Sequence, residues 1–318
     1  MKNVASRLEV EKAKDLTGEI SNPGVLVKAH WDTVLSILKE QWSVLEEVKG
    51  RYYKGPRTTP ERAEELLKRV YLQLISLVKD EIPLPELRFL PFGRQLIKNV
   101  LIFSLLVSCM VGLLFCVVIT AHARGFLSRG EMVFLLLSAC VLLYLPFPLY
   151  RRTRINMEHN CRYLRDGDKG YVVMGDIREG MFISFCAHEM AHHFLREKEK
   201  GGGSWEEGWA RWVQLKISEV LSQEYEVDAL IPALTLLVGE LKEALMLTKG
   251  NRPIPGWVRR VRSPFHTSSF GRWIRGEPSY SKKRLSVHAL GTAAVALLVG
   301  LRGNEAFKRF LEGVEIVL

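Results

Sequence analysis

Apolar residues recur at helical spacing along most of this chain. Between Val25 and about Lys49 they fall at Val27, Trp31, Val34, Leu35, Leu38, Trp42 and Leu45, the stripe of an amphipathic helix. Gly50 and the Lys54-Gly55-Pro56 turn end it. Thr59-Pro60-Glu61-Arg62 then reads as an N-cap with proline at the first helical position. A second helix follows to about Lys79, with Ala63, Leu66, Leu67, Val70, Leu74 and Leu77 on one stripe. Two such helices with a short link predict an antiparallel hairpin, a structural or docking module without chemistry of its own. Pro83, Pro85 and Pro91 predict a stiff linker after it.

The pattern then changes. Val100 to Ala121 carries no charge and reaches the ~20 residues that a membrane-spanning helix needs. His122 to Glu131 is a short polar link, and Met132 to Tyr150 is a second candidate span closed by Pro146 and Pro148. Beyond it, Gly170 to Met174 is β-prone, and its free edge is expected to suit an extended peptide. Helices are expected at Met181 to Lys200, Trp205 to Gln223, Leu230 to Lys249, Ser286 to Leu301 and Glu305 to Val317. Leu230 to Lys249 carries Glu240, Lys242 and Glu243, which makes it a buried helix of a folded domain rather than a third span. The expected architecture is mainly α (α+β) in three parts. Residues 1–98 form a helical region, 99–150 a two-helix transmembrane hairpin, and 151–318 a helical domain with a small β element.

Charge sharpens this picture. A net charge of +10 points to nucleic acid or to an anionic membrane surface, and the apolar spans decide for membrane lipid, with no nucleic acid expected. Arg259, Arg260, Arg262, Arg272, Arg275, Lys282, Lys283 and Arg284 form a basic stretch suited to lipid headgroups, to acidic peptides or to plain solvation. Arg88, Arg94 and Lys98 precede the first span, and Arg151, Arg152 and Arg154 follow the second; the link has Arg124 and Arg129 with Glu131. The positive-inside rule then places both long flanks in the cytoplasm. The first 25 residues lack the charged start and apolar core of a secretory signal. The five cysteines include no C-x-x-C pair, against a disulfide scaffold or a thiolate metal site, and read as apolar filler.

Candidate chemistry lies in His188-Glu189-Met190-Ala191-His192-His193, which contains H-E-x-x-H. On a helix, His188 and His192 share a face and can point at one metal ion, with Glu189 beside them as general base. His193 points about 100° away and is expected to be second-shell or surface. A catalytic zinc takes three protein ligands, so the third must come from another segment.

Trp205-Glu206-Glu207-Gly208-Trp209-Ala210 resembles the W-x-E-G-x-A signature of the gluzincin metallopeptidases, the thermolysin and aminopeptidase-like superfamily. The resemblance implies a zincin-like catalytic domain from about Gly170 onward, Zn2+ as cofactor, and Glu207 as the third ligand beside His188 and His192. It leaves Glu206 as a solvated neighbour. His288-Ala289-Leu290-Gly291 is similar to the family's Y-x-x-G segment. That similarity implies an oxyanion-stabilising role for His288, with Tyr280 as the alternative. Nothing resembles the G-x-M-E-N amino-terminus clamp of the aminopeptidases, which points to an endopeptidase acting on peptide or protein substrates.

Two alternatives stay open. Glu224-Tyr225-Glu226-Val227-Asp228 resembles the E-Y-x-A-D motif of membrane-embedded heat-shock and prenyl-protein peptidases, which would make Glu224 the third ligand. The chain could also be a membrane-bound adaptor that keeps a peptidase-like fold and binds partners without catalysis. The expected activity is that of a membrane-anchored zinc peptidase at the cytoplasmic face.

Overall fold

The computed structural model describes residues 22–49, 55–90, 92–144, 161–199, 203–224, 229–261 and 282–303. Helix ends follow local chemistry. Asn22 caps α1 (Pro23–Ala29), accepting from Gly24 N at 2.9 Å. His30, with φ −104° and ψ 33°, separates α1 from α2 (Trp31–Val48), so the single helix expected here is two. Thr59 accepts from Arg62 N at 3.3 Å and Pro60 opens α3 (Pro60–Val78), which Lys79 closes at φ 55°. β1 (Glu86–Leu90) occupies the expected linker, with Pro83, Pro85 and Pro91 all outside the strand in sequence.

The order continues through α4 (Phe92–Ala123), α5 (Arg129–Tyr144), β2 (Arg162–Asp166), β3 (Lys169–Gly175), α6 (Glu179–Glu197) and α7 (Gly203–Glu224). It ends with α8 (Leu230–Thr248), the short α9 (Gly256–Arg260) and α10 (Lys282–Arg302). The chain is therefore mainly helical, with one three-stranded sheet ordered β1-β3-β2. Two compact units emerge. One comprises Met1–Phe89, Cys161–His266 and Tyr280–Leu318; the other comprises Leu90–Asn160 and Thr267–Ser279. The expected helix at Glu305 to Val317, and Arg262, Arg272 and Arg275 of the basic stretch, lie outside the described residues.

The first unit has two apolar clusters. α3 sends Ala63, Leu66, Leu67, Val70 and Leu74 into one, with Val172 and Met174 of β3, Phe182, Ile183 and Met190 of α6, and Trp209 and Val213 of α7. The other joins Leu26 and Val27 of α1, Trp31, Val34 and Leu38 of α2, and the apolar faces of α8 and α10. Trp212 packs against both. The expected N-terminal hairpin is thus corrected: α2 and α3 bury their stripes in different clusters. An amphipathic stripe records that a helix has a partner without naming it.

In the second unit, Leu101–Ala123 within α4 is long and apolar enough to cross a membrane. Leu101, Leu105, Leu106, Met110, Leu113 and Val117 leave most of their surface bare, which suits lipid rather than a protein core. α5 has 16 residues, roughly 24 Å at 1.5 Å each, against about 30 Å of hydrocarbon. The rest of the second expected span, residues 145–150, lies outside the described residues.

α7 and α10 cross at glycines. A Cβ on Gly208 would lie 2.1 Å from the Gly291 carbonyl oxygen, and one on Gly291 would lie 1.7 Å from the Ser204 carbonyl oxygen. Both obstacles are backbone, so neither can swing aside. Gly291→Ala gains about 1 kcal/mol of helix propensity but forces the helices apart. We expect a net loss of up to about 2 kcal/mol, since overpacking typically costs about 1–3 kcal/mol. Thermal unfolding of the detergent-solubilised protein measures it.

Candidate metal centre

α6 supplies both histidines on one face. Their Nε2 atoms lie 3.2 Å apart, and the rings meet edge-on with centroids 4.8 Å apart. Phe194 of α6 stacks on Trp209 of α7 at 5.7 Å, each two residues beyond a site residue, which fixes the two helices together at this level. Glu207 consequently sets its Oε2 3.5 Å from His188 Nε2 and 3.5 Å from His192 Nε2. One ligand atom from each of these three residues lies within 4.8 Å of the others, a group that can hold a metal ion.

The donor set fits that use. A tetrahedral centre with bonds of about 2.0–2.1 Å has ligand-to-ligand edges of about 3.3–3.4 Å, which matches the 3.2–3.5 Å separations here. Glu207 Oε2 is buried and makes no hydrogen bond of proper geometry, although three imidazoles surround it. Its Oε2 and the two Nε2 atoms all lie within 3.5 Å of one another.

A carboxylate supports His192 from behind. Glu206, expected to be solvated, is buried, and its Oε1 accepts from His192 Nδ1 at 2.8 Å. Its Oε2 lies 3.5 Å from Arg196 Nη2. The bond to Nδ1 leaves His192 Nε2 free to bind a cation and raises its basicity. His188 Nδ1, by contrast, is buried without a partner.

Glu189 Oε2 accepts from the Tyr163 backbone N–H at 2.7 Å. That strand, β2, was not expected, and it changes which edge is free. β3, the strand expected to offer a peptide its edge, lies in the middle of the sheet, and β2 is the edge nearest Glu189. His193 is buried rather than at the surface. Its Nε2 donates to the Pro83 carbonyl at 2.7 Å, and its ring tilts against Tyr163 with centroids 5.2 Å apart. Gly170 makes room for it, since a Cβ there would meet His193 Nδ1 at 2.6 Å. His193 thereby steadies the residue that holds Glu189.

His288 joins the site, with Nδ1 3.0 Å from Glu207 Oε2. Tyr280 lies outside the described residues, as do Tyr225 to Asp228. Glu224 ends α7, seventeen residues beyond Glu207 and roughly 25 Å along the helix. It cannot share an ion with His188 and His192.

Burial dominates the electrostatics. It pushes the Glu189 carboxyl up to about 7, in the range useful to a general base. Burial, aided by the Arg211 charge, pulls His188 down to about 3 and keeps it neutral. Burial opposes charge on His192 too, but Glu206 and Glu207 overcome it and hold His192 up at about 10. Burial would likewise raise Glu207, but the imidazoles of His188, His192 and His288 keep it well below the usual carboxylate range.

No known protein family, curated protein or solved structure matches this chain.

The signal for Glu206 was in the sequence, in its place directly before Glu207; what was missing was the helix crossing that turns it inward. Glu206→Ala should weaken metal affinity by about 10–100-fold, the usual cost of removing such a partner. Glu206→Gln, which keeps an acceptor oxygen, should lose less. Competition with a chromogenic chelator measures both.

Proposed function

We propose that this chain is a membrane-anchored zinc peptidase of the gluzincin type, with His188, His192 and Glu207 as ligands and Glu189 as general base. The carrying observation is the set of three donors at tetrahedral spacing, with a half-buried carboxylate one residue from the first histidine. The two histidines and one carboxylate are the ligand chemistry of catalytic zinc in this superfamily, and they leave a fourth position open. A zinc ion held by His188, His192 and Glu207 would supply Lewis acidity for activating water near neutral pH.

The chain's own residues supply the rest. Glu189 takes the proton from the attacking water and returns it to the leaving amine. The Tyr163 N–H holds that carboxylate in place through the cycle. His288, beside Glu207, donates to the carbonyl oxygen as negative charge develops on it. Peptide or protein is the substrate class, and the absence of an amino-terminus clamp favours internal cleavage. α4 and the segment from Arg129 onward form a two-span anchor, with the catalytic part on the cytoplasmic side.

Metal analysis of the detergent-purified full-length protein, with a peptide-library digest, tests this reading. Zinc should bind one to one. Glu207→Gln should lose the metal, whereas Glu189→Gln should keep it and lose at least about 1,000-fold in turnover, as expected when acid–base transfer is removed. Stoichiometric zinc with no cleavage of any peptide would instead favour the adaptor. Retained proteolysis in Glu189→Gln sinks the mechanism.

A further inference from the structure

A second polar layer lies one helical turn from the site on three of its helices. Ser184 is four residues before His188 on α6, Arg211 four after Glu207 on α7, and Thr292 four after His288 on α10. Residues four apart share a helix face, about 6 Å along the axis. All three are buried, and they belong to one hydrogen-bonded chain.

Its centre is Glu240 of α8, a helix that brings no residue to the metal centre. Arg211 grips Glu240 with both arms of its fork, Nη2 to Oε1 at 2.6 Å and Nε to Oε2 at 2.9 Å. Thr292 Oγ1 donates to Glu240 Oε2 at 2.6 Å. Arg211 Nη1 also donates to Gln214 Oε1, and Gln214 Nε2 donates to Ser184 Oγ at 2.7 Å. The chain thus runs α6–α7–α8–α10 without a gap.

We infer that the Ser184–Gln214–Arg211–Glu240–Thr292 network is a positioning layer that sets the relative register of the helices carrying His188, Glu207 and His288. Stability is a poor reason for it. A buried ion pair must overcome its own desolvation, and replacing both partners by apolar groups of similar volume is often neutral or stabilising. What an apolar pair lacks is direction. Each bond in this chain holds only over a narrow range of distance and angle, so a slide of one helix along its neighbour weakens or breaks a buried hydrogen bond. This inference rests on the reading of the site as a metal centre.

The test uses full-length protein in detergent and compares wild type with Thr292→Val, Ser184→Ala and the double variant Arg211→Met/Glu240→Leu. Zinc affinity comes from chelator competition, and site geometry from the visible spectrum after cobalt(II) loading. The double variant should melt near the wild-type temperature yet bind zinc at least about tenfold more weakly, on the scale of other supporting-partner losses. Its cobalt bands should shift. Thr292→Val and Ser184→Ala should show the same changes in smaller measure. Unchanged affinity and spectrum in folded variants overturn the inference. If the double variant does not fold, Thr292→Val decides by the same two readouts. A wild-type chain that binds no zinc overturns the metal-centre reading, and this inference with it.

Discussion

The candidate site depends on a contact in which no side chain takes part. At the crossing of α7 and α10, Gly208 and Gly291 let two backbones meet where a Cβ on either would overlap a carbonyl oxygen. Gly208 follows Glu207 directly, and Gly291 lies three residues after His288. The depth of the crossing therefore sets the 3.0 Å separation of Glu207 from His288. Any larger residue would part the helices and move both groups, however well the local sequence favoured helix. Glycine gives up roughly 1 kcal/mol of helix propensity at each position, and the close approach is what that cost allows.

Once the helices are this close, electrostatics follows from burial. Glu189, Glu206 and Glu207 lie within one small region largely screened from water, with His188, His192 and His288 among them. Burying carboxylates is expensive unless each is hydrogen-bonded or neutralised. Glu206 is satisfied by His192, and Glu189 by the Tyr163 N–H. Glu207 Oε2 is the exception, surrounded by imidazoles yet without a well-formed hydrogen bond. An acceptor held in that state, facing two imidazole nitrogens, is the arrangement a cation would complete.

Much of this was readable along the chain because it is local. The four-residue spacing of His188 and His192 fixes a shared face on any helix, and Thr59 with Pro60 fixes where α3 begins. Choosing between Glu206 and Glu207 is different. Adjacent helical residues point about 100° apart, so both can serve only if the partner helix approaches between them, and the sequence does not display that approach. Both do serve, one toward the donor cluster and the other behind His192. β2 and the destinations of α2 and α3 were hidden for the same reason. Strand pairing and stripe burial depend on residues far away in the chain, while propensity and periodicity register only neighbours.

Apolar helices with and without charge show how far a local signal can reach when it is combined with the need to satisfy polar groups. α8 is almost as apolar as a membrane span, yet two of its buried charges are held by specific partners. Glu240 is held by Arg211 and Thr292, and Lys242 donates to the backbone carbonyls of Arg259 and Val261. Such partners exist only inside a folded unit, so charge within an apolar helix marks it as packed against protein. α4 has the opposite pattern. From Leu101 to Ala121 it carries no charge and leaves large apolar side chains bare. Its polar Thr120 bonds back to the Cys116 carbonyl of its own helix. A helix that satisfies its polar groups internally needs nothing from its surroundings but hydrocarbon, and that is the physical condition for lying in lipid.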